Sequence, residues 1–181
     1  MFKQRKKIDK FCILLPVYND WHSLKKLLLI IDKKLIFLKG LVTVIVVNDA
    51  STIKPNLNIK KLRKIKQIKI INLIKNLGSQ KSISIGLQYL KNKNESTVLV
   101  IDSDGEDDVN QVKKMFLTAK KFENYIVVSN RTKRREVFYF KIFYKIHLIT
   151  TFLLTWKWIS FGNFTSFSSK HIKKLNFNDY W

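Results

Sequence analysis

The chain is poor in cysteine, proline and glycine, with one, two and five of them in 181 residues. Because Cys12 is the only cysteine, no intrachain disulfide can form, and this suits a reducing compartment. The chain has no internal repeat and no low-complexity linker. With 46% apolar residues it is typical of a globular domain, and its length fits one domain rather than two. We therefore expect a single domain spanning residues 1–181.

Acidic residues are also scarce. The chain has 13 Asp and Glu against 35 Lys and Arg, which gives a formal net charge of +22. An excess of this size favours an anionic partner, such as a phosphorylated substrate, an acidic lipid surface or a nucleic acid. A general habit of using lysine explains part of the excess equally well, because lysine, isoleucine and asparagine are abundant along the whole chain.

No apolar run is both long and uncharged enough to be assigned as a membrane span. The run at residues 11–17 is short, contains Pro16 and lacks a small-residue cleavage site, so we expect no signal peptide. Residues 137–161 are apolar and aromatic but are interrupted by Lys141, Lys145, His147 and Lys157. Their mixture of Trp, Tyr, Phe and Lys is typical of a helix in the lipid headgroup layer. Packing on the sheet or on a partner is the competing interpretation.

Apolar runs alternate with amphipathic segments through most of the chain. Helical spacing of leucine and isoleucine after a cap at Asn19 or Asp20 predicts the first helix. Residues 53–66 are basic and irregular, and we expect a loop with a short helix there. The remaining expected elements are strands at 11–17, 41–47, 68–73, 98–101 and 125–128 and helices at 79–90 and 109–122. This alternation predicts an α/β fold with a mixed, mostly parallel sheet flanked by helices.

A cluster of polar residues follows each predicted strand. In open parallel sheets, ligands bind beyond the C-terminal ends of the strands. We therefore expect one site at that edge of the sheet, formed by the clusters at 18–20, 48–51, 75–78, 102–108 and 129–131.

The most informative of these clusters is acidic. Asp102 and Asp104 follow an apolar strand, and in extended backbone residues two apart direct their side chains to one side. Two carboxylates on one side can hold Mg²⁺ or Mn²⁺, with the other coordination positions taken by water and a diphosphate. This is the chemistry of a nucleotide-dependent transferase. A solvated acidic turn is the alternative interpretation.

Six motifs occur along the chain in the same order as in a known family. They are Pro16-Val-Tyr-Asn-Asp20, Val47-Asn-Asp-Ala-Ser51, Asn76-Leu-Gly78, Asp102-Ser-Asp-Gly-Glu106, Ser129-Asn-Arg131 and Gly162-Asn-Phe164. The set spans about residues 11–170 and resembles the family 2 glycosyltransferases, which have the Rossmann-like GT-A fold of nucleotide-diphospho-sugar transferases. It resembles most the polyprenyl-phosphate sugar transferases related to dolichyl-phosphate mannose synthase.

The resemblance implies inverting transfer of a sugar from a UDP- or GDP-sugar, with Asp104 and Arg131 as the catalytic residues. It implies that the nucleotide is bound by Pro16, Tyr18, Asp20, Asp49, Ser51, Asn76 and Asp102. It also implies that Mg²⁺ or Mn²⁺ is held by Asp102, Asp104 and Glu106. A turn cap is the alternative role for Asp49, and the start of a helix is the alternative role for Asn76.

The chain departs from the family pattern at Asn48, Glu106 and Asn163. Asn163 replaces an aspartate and cannot act as a base, and a sugar hydroxyl acceptor needs one. A lipid phosphate is already ionised and needs only positioning and charge neutralisation. We expect the positioning and the charge neutralisation to come from a cluster of basic residues, namely Arg131, Lys133, Arg134 and Arg135. A solvated loop is the alternative interpretation of this cluster.

We therefore expect transfer to a polyprenyl phosphate by a protein that is cytoplasmic or peripheral on the cytoplasmic face of a membrane. Many relatives carry C-terminal transmembrane helices, and this sequence ends at Trp181 without them, so we expect a shortened domain. A truncated, inactive nucleotide-binding domain acting with a partner and transfer to a glycan hydroxyl are the alternatives. No nucleic-acid partner is expected, because it would require basic residues on one face and no diphosphate pocket.

Overall fold

The structure, a computed structural model, describes residues 8–55, 57, 62–93, 96–129 and 162–175. These residues form one six-stranded sheet with helices on both faces. The strands are β1 (Lys10–Val17), β2 (Leu41–Asn48), β3 (Ile65–Asn72), β4 (Thr97–Val100), β5 (Val127–Val128) and β6 (Thr165–Ser168). The helices are α1 (Trp21–Lys34), α2 (Ser79–Leu90), α3 (Val112–Lys121), which follows a 3₁₀ turn at Val109–Gln111, and α4 (Lys170–Lys174).

The strands lie in the order β3-β2-β1-β4-β6-β5. The pairs β1–β2, β2–β3 and β1–β4 are parallel, whereas β6 runs antiparallel to both β4 and β5. The predicted α/β fold with a mixed, mostly parallel sheet is therefore confirmed.

β1 is central and buried on both faces, which explains its uninterrupted apolar sequence. Phe11, Ile13 and Leu15 are fully buried on the face covered by α1 and α3. Cys12 and Leu14 are fully buried on the opposite face, where α2 packs. Cys12 is thus a small core residue with a free thiol, as expected from its place in the run.

Two boundaries of the predicted strands are wrong. β3 begins at Ile65, inside the segment assigned to a loop and short helix, because exposed Lys66 and Lys69 give this edge strand a basic, irregular sequence. The strand predicted at 125–128 contains only Val127–Val128. The amide of Tyr125 donates instead to the carbonyl of Phe122 (3.0 Å) in the turn after α3.

The strand order reverses between β1 and β4, because β2 and β3 extend from one side of β1 and β4 pairs with the other. Pairing with β4 ends at Leu14, whose carbonyl accepts from the amide of Ile101 (3.1 Å). Pro16 lies two residues further along the same side of β1 and has no N–H to continue the ladder. Such a reversal is the usual ligand position in doubly wound sheets.

No helix in the described part of the chain is long and apolar enough to cross a membrane. The aromatic segment at 137–161 lies outside the described residues, so the prediction of an interfacial helix remains a prediction.

Candidate functional site

Of the polar residues expected at one edge of the sheet, those that the structure describes do share it. β1, β2, β3 and β4 are parallel, and β5 has the same direction because β6 is antiparallel to both β4 and β5. Their C-terminal ends therefore lie along one rim. Because β6 runs the other way, the residues that precede it, 162–164, reach the same rim. β6 was not predicted from the sequence, because it is short and three of its four residues are serine or threonine.

Asn19 joins the loops after β1 and β2. Its φ of 59° is left-handed, a conformation that asparagine adopts more readily than most residues. The side-chain oxygen accepts from the amides of Thr52 (2.8 Å) and Ile53 (3.1 Å), and its own amide donates to the Ser51 hydroxyl (2.9 Å). Two rim loops are thereby fixed to each other. From the sequence, Asn19 belonged to the polar cluster at 18–20 but was given no binding role, although asparagine before a helix is a recognisable turn residue.

The three expected nucleotide-binding residues of the first motif differ in exposure. Pro16 is buried within β1, whereas the Tyr18 side chain is half exposed at the rim. Asp20 is exposed and accepts from the amide of Ser23 (3.1 Å), so it is the N-cap of α1, one of the two residues predicted for that role. Tyr18 and Asp20 are thus the two of these residues that offer surface to a ligand.

Asp49 is 3% exposed and binds the main chain of a distant segment. Its two oxygens accept from the amides of Leu77 (2.7 Å) and Gly78 (2.9 Å), immediately before α2. Asp49 therefore holds the start of α2 at the rim. This role differs from the two predicted for it, nucleotide contact and a local turn cap. Asn76 is exposed and also accepts from the Gly78 amide (3.2 Å). Nucleotide contact by either residue remains a prediction.

The acidic run divides into two parts. β4 ends at Val100, and a turn follows Asp102, so the extended backbone assumed for Asp102 and Asp104 is not what the structure has. Asp104 instead accepts from the amide of Glu106 (2.9 Å) across a turn in which Gly105 has a φ of +79°. The rim part contains half-buried Asp102 with exposed Asp104 and Glu106.

The second part of the acidic run is structural. Asp108 caps the 3₁₀ turn before α3, accepting from the backbone amide of Asn110 (3.0 Å) and from the side-chain amides of Asn110 (2.8 Å) and Gln111 (3.3 Å). The Asn110 backbone amide, helped by these side-chain amides and by Lys34, lowers the pKa of Asp108 below its ordinary value. Burial opposes the shift but is the weaker effect.

The donor set at the rim fits one kind of metal site. Among the described residues, no three side chains of His, Cys, Asp or Glu are grouped so that they could hold a metal ion by themselves. The set of three carboxylates expected from the sequence is therefore not preassembled. Magnesium commonly takes one or two protein carboxylates and completes its shell with water and substrate phosphates. Asp102 and Asp104 are carboxylates of the kind that such a site uses, and a diphosphate would have to supply the missing oxygens.

Asp102 also belongs to a chain of amides. The side-chain amide of Asn163 donates to Asp102 Oδ1 (2.9 Å), and Asn163 Oδ1 accepts from Gln80 Nε2 (2.9 Å). Asn163, discussed from the sequence only as a lost base, therefore contacts the first residue of the acidic motif. Gln80 was missed, and nothing in its spacing or type would have indicated it.

The remaining expected residues lie beyond what the structure describes. Arg131, Lys133, Arg134 and Arg135 are outside the described residues, so their binding of an acceptor phosphate remains a prediction. The segment preceding them is anchored, since the amide of Ser129 donates to the carbonyl of Phe164 (3.0 Å).

Comparison with known proteins identifies a family. The model of the family described as Glycosyl transferase family 2 matches residues 12–176. An uncharacterized glycosyltransferase of Synechocystis sp. is 28% identical over 142 residues, which cover 74% of this chain and 43% of that protein. Crystal structures of S. aureus TarS 1–349 with UDP and with UDP-GlcNAc each superimpose with a TM-score of 0.58 at 20% identity, covering 95% of this chain. The match covers 49% and 48% of those chains, so this chain spans less than half the length of these relatives.

Proposed function

The chain belongs to glycosyl transferase family 2 and has the GT-A fold, and from this membership we propose that it transfers a sugar from a nucleoside diphosphate donor, with inversion. The observation that carries the proposal is the meeting of polar groups from β1, β2, β4 and the start of β6 at the rim where the strand order reverses. The UDP and UDP-GlcNAc bound by TarS support a UDP-sugar, with a GDP-sugar as the alternative donor.

The nucleotide is expected to lie against the loops after β1 and β2. Tyr18 offers an exposed aromatic face, and the hydrogen bonds of Asn19 to the loop containing Ser51 and Thr52 keep this part of the rim rigid. A rigid site favours binding because less conformational entropy is lost when the ligand is ordered.

Asp102 and Asp104 are the residues expected to hold Mg²⁺ or Mn²⁺. The ion would neutralise the negative charge that develops on the departing nucleoside diphosphate. The protein's own contribution is orientation. Asn163 fixes Asp102, and the Glu106 amide fixes Asp104, before any ligand arrives.

A polyprenyl phosphate is the acceptor that the site chemistry favours, as in the group related to dolichyl-phosphate mannose synthase. A sugar hydroxyl needs a base, and Asn163 is an amide whose oxygen already accepts from Gln80. A phosphate acceptor is ionised without help. The net charge of +22 is consistent with an anionic acceptor at the cytoplasmic face of a membrane, to which Arg131, Lys133, Arg134 and Arg135 are expected to contribute.

Thermal unfolding with nucleotides and metal tests the proposal. We expect UDP or GDP with Mn²⁺ to raise the Tm, because a ligand at a hundredfold excess over its Kd stabilises by about 2.7 kcal/mol. Asp104→Asn should abolish the metal-dependent part of this shift. Asp108→Asn is the matched control, because it removes the same charge from the same acidic run but at the helix cap.

Transfer of labelled sugar to a polyprenyl phosphate, compared with transfer to a glycan, then separates the alternatives. The expected outcome is turnover with the lipid phosphate and no turnover with the glycan. Binding without turnover on either acceptor would favour the inactive nucleotide-binding domain. Failure of every UDP and GDP ligand to bind in the presence of Mn²⁺ would show the proposed function to be wrong.

A further inference from the structure

A chain of two hydrogen bonds connects the first turn of α2 to the end of β4. Gln80 Nε2 donates to Asn163 Oδ1, and Asn163 Nδ2 donates to Asp102 Oδ1, each at 2.9 Å. The three residues come from elements far apart in the sequence, with separations of 83 and 61 residues along the chain. The Gln80 side chain is exposed, whereas those of Asn163 and Asp102 are half-buried.

Asp102 determines which group donates and which accepts in these two hydrogen bonds. An ionised carboxylate only accepts hydrogen bonds, so Asn163 must turn its NH₂ group toward Asp102. Its oxygen then faces Gln80, which must present its own NH₂ group. The orientation of an exposed side chain on α2 is thus transmitted to the half-buried carboxylate.

The backbone segments that carry Gln80 and Asn163 are both anchored to the core. Asp49 accepts from the amides of Leu77 and Gly78 and so holds the first turn of α2 in place. Asn163 precedes Phe164, which is 1% exposed within the core, and Thr165 then pairs with Val100 of β4. With its supports fixed, the amide of Asn163 can hold Asp102 in one orientation.

We propose that Gln80 and Asn163 are positioning residues that orient Asp102 toward the donor diphosphate and its metal ion. The inference rests on the proposed function, because it assigns Asp102 to that ligand. Removing groups that orient metal-binding side chains typically weakens metal binding about 10–100-fold. Asn163→Ala should therefore weaken Mn²⁺ binding in the presence of UDP by about tenfold.

Gln80→Glu distinguishes orientation from simple charge. A carboxylate at residue 80 can only accept, as can Asp102, so the two would compete for the single NH₂ group of Asn163. Whenever that group turns toward residue 80, the Asn163 oxygen faces Asp102, where two acceptors repel. We expect Mn²⁺ binding, measured by calorimetry in the presence of UDP, to weaken by about threefold, a smaller effect than the loss of the direct partner in Asn163→Ala. Added negative charge alone would strengthen cation binding, so the two explanations predict opposite signs.

Gln88→Glu is the matched control, because it makes the same change at an exposed position of the same helix. It should leave the Kd for Mn²⁺ unchanged. In the Asn163→Ala background, Gln80→Glu should no longer weaken binding, since its effect is transmitted through that amide. Equal or tighter binding by Gln80→Glu in the wild-type background would overturn the proposal.

A second measurement needs no metal. The side-chain amide resonances of Asn163 in the metal-free protein should shift on Gln80→Glu and on Asp102→Asn but not on Gln88→Glu. Unshifted resonances would show that the hydrogen-bond chain does not exist. If the wild-type protein does not bind Mn²⁺ with UDP, the proposed function fails and the positioning role with it. If it binds and Gln80→Glu binds equally well, only the positioning role fails.

Discussion

At the scale of single residues, two buried carboxylates of this domain hold backbone amides from distant segments. Asp32 on α1 is 5% exposed and accepts from the amides of Arg63 (2.9 Å), Lys64 (2.7 Å) and Ile65 (2.8 Å), where β3 begins. Asp49 does the same for the start of α2. A buried carboxylate that accepts hydrogen bonds from several backbone amides has its oxygens satisfied by them.

The cap residue Asp108 gives a pH-dependent prediction at this scale. Hydrogen bonds from the Asn110 backbone amide lower its pKa in the folded protein. A lowered pKa contributes stability that is present above the ordinary value of about 3.9 and is lost as the pH falls through the lower folded value. We expect Asp108→Asn to be less stable than wild type at neutral pH and the difference to close in acid.

Urea unfolding of both proteins across the acid range measures this difference, and carbon NMR of the carboxyl group measures the pKa directly. An ordinary or raised pKa for Asp108 would contradict the hydrogen-bonding pattern. A stability difference between the two proteins that stays constant down to the most acidic pH would also contradict it. In acid the carboxyl is uncharged like the amide, so a constant difference would have a cause other than the charge.

At the scale of elements, α2 is held unusually close to the sheet. A Cβ at Gly86 would lie 2.3 Å from Leu14 Cδ1 and 3.1 Å from Val47 Cγ2, both in fully buried side chains. Leu14 and Val47 belong to β1 and β2, so the glycine allows the helix to pack on two central strands. This close packing keeps the first turn of α2, with Gln80, at the rim.

Gly86→Ala is therefore expected to destabilise the domain, although alanine favours a helix over glycine by about 1 kcal/mol. Overpacking a core costs about 1–3 kcal/mol, and a 2.3 Å contact with a core side chain places the cost in the upper half of that range. The net loss in the free energy of unfolding should therefore be about 1–2 kcal/mol. Urea unfolding measures it. Gln88→Ala, at an exposed position of the same helix, should change stability little. A Gly86→Ala protein as stable as wild type would mean that the close contact is relieved by a small shift of the helix.

The same elements explain how far the sequence could predict the fold and the site. β1, β2 and α2 were predictable because their buried faces impose a continuous apolar run or a helical period. β6 was not, because Ser166 and Ser168 are buried polar residues, and Ser166 is tolerated only by donating to the carbonyl of Val98 (3.1 Å). Missing β6 meant missing the contact of Asn163 with Asp102. Tertiary pairing of this kind leaves no local pattern.

At the scale of the whole molecule, positive charge is the dominant property. A net charge of +22 on 181 residues produces a field that attracts anionic surfaces before any specific contact forms. Each Lys or Arg near an acidic membrane contributes about 1 kcal/mol to attraction, and the attraction falls off within a Debye length of about 8 Å at physiological salt. This field is the basis for proposing peripheral contact with the cytoplasmic face of a membrane, which the proposed lipid acceptor requires.

Vesicle sedimentation tests membrane contact. The protein should sediment with vesicles containing phosphatidylglycerol at low salt and should not bind neutral phosphatidylcholine vesicles, which offer no net charge. Raising the salt concentration should release the protein, because screening weakens charge attraction but not apolar insertion. Salt-resistant binding to neutral vesicles would instead indicate insertion of apolar groups, for which residues 137–161 are the candidate segment. Absence of binding to acidic vesicles even at low salt would contradict membrane contact. Competition by RNA measures how much of the attraction is shared by any polyanion.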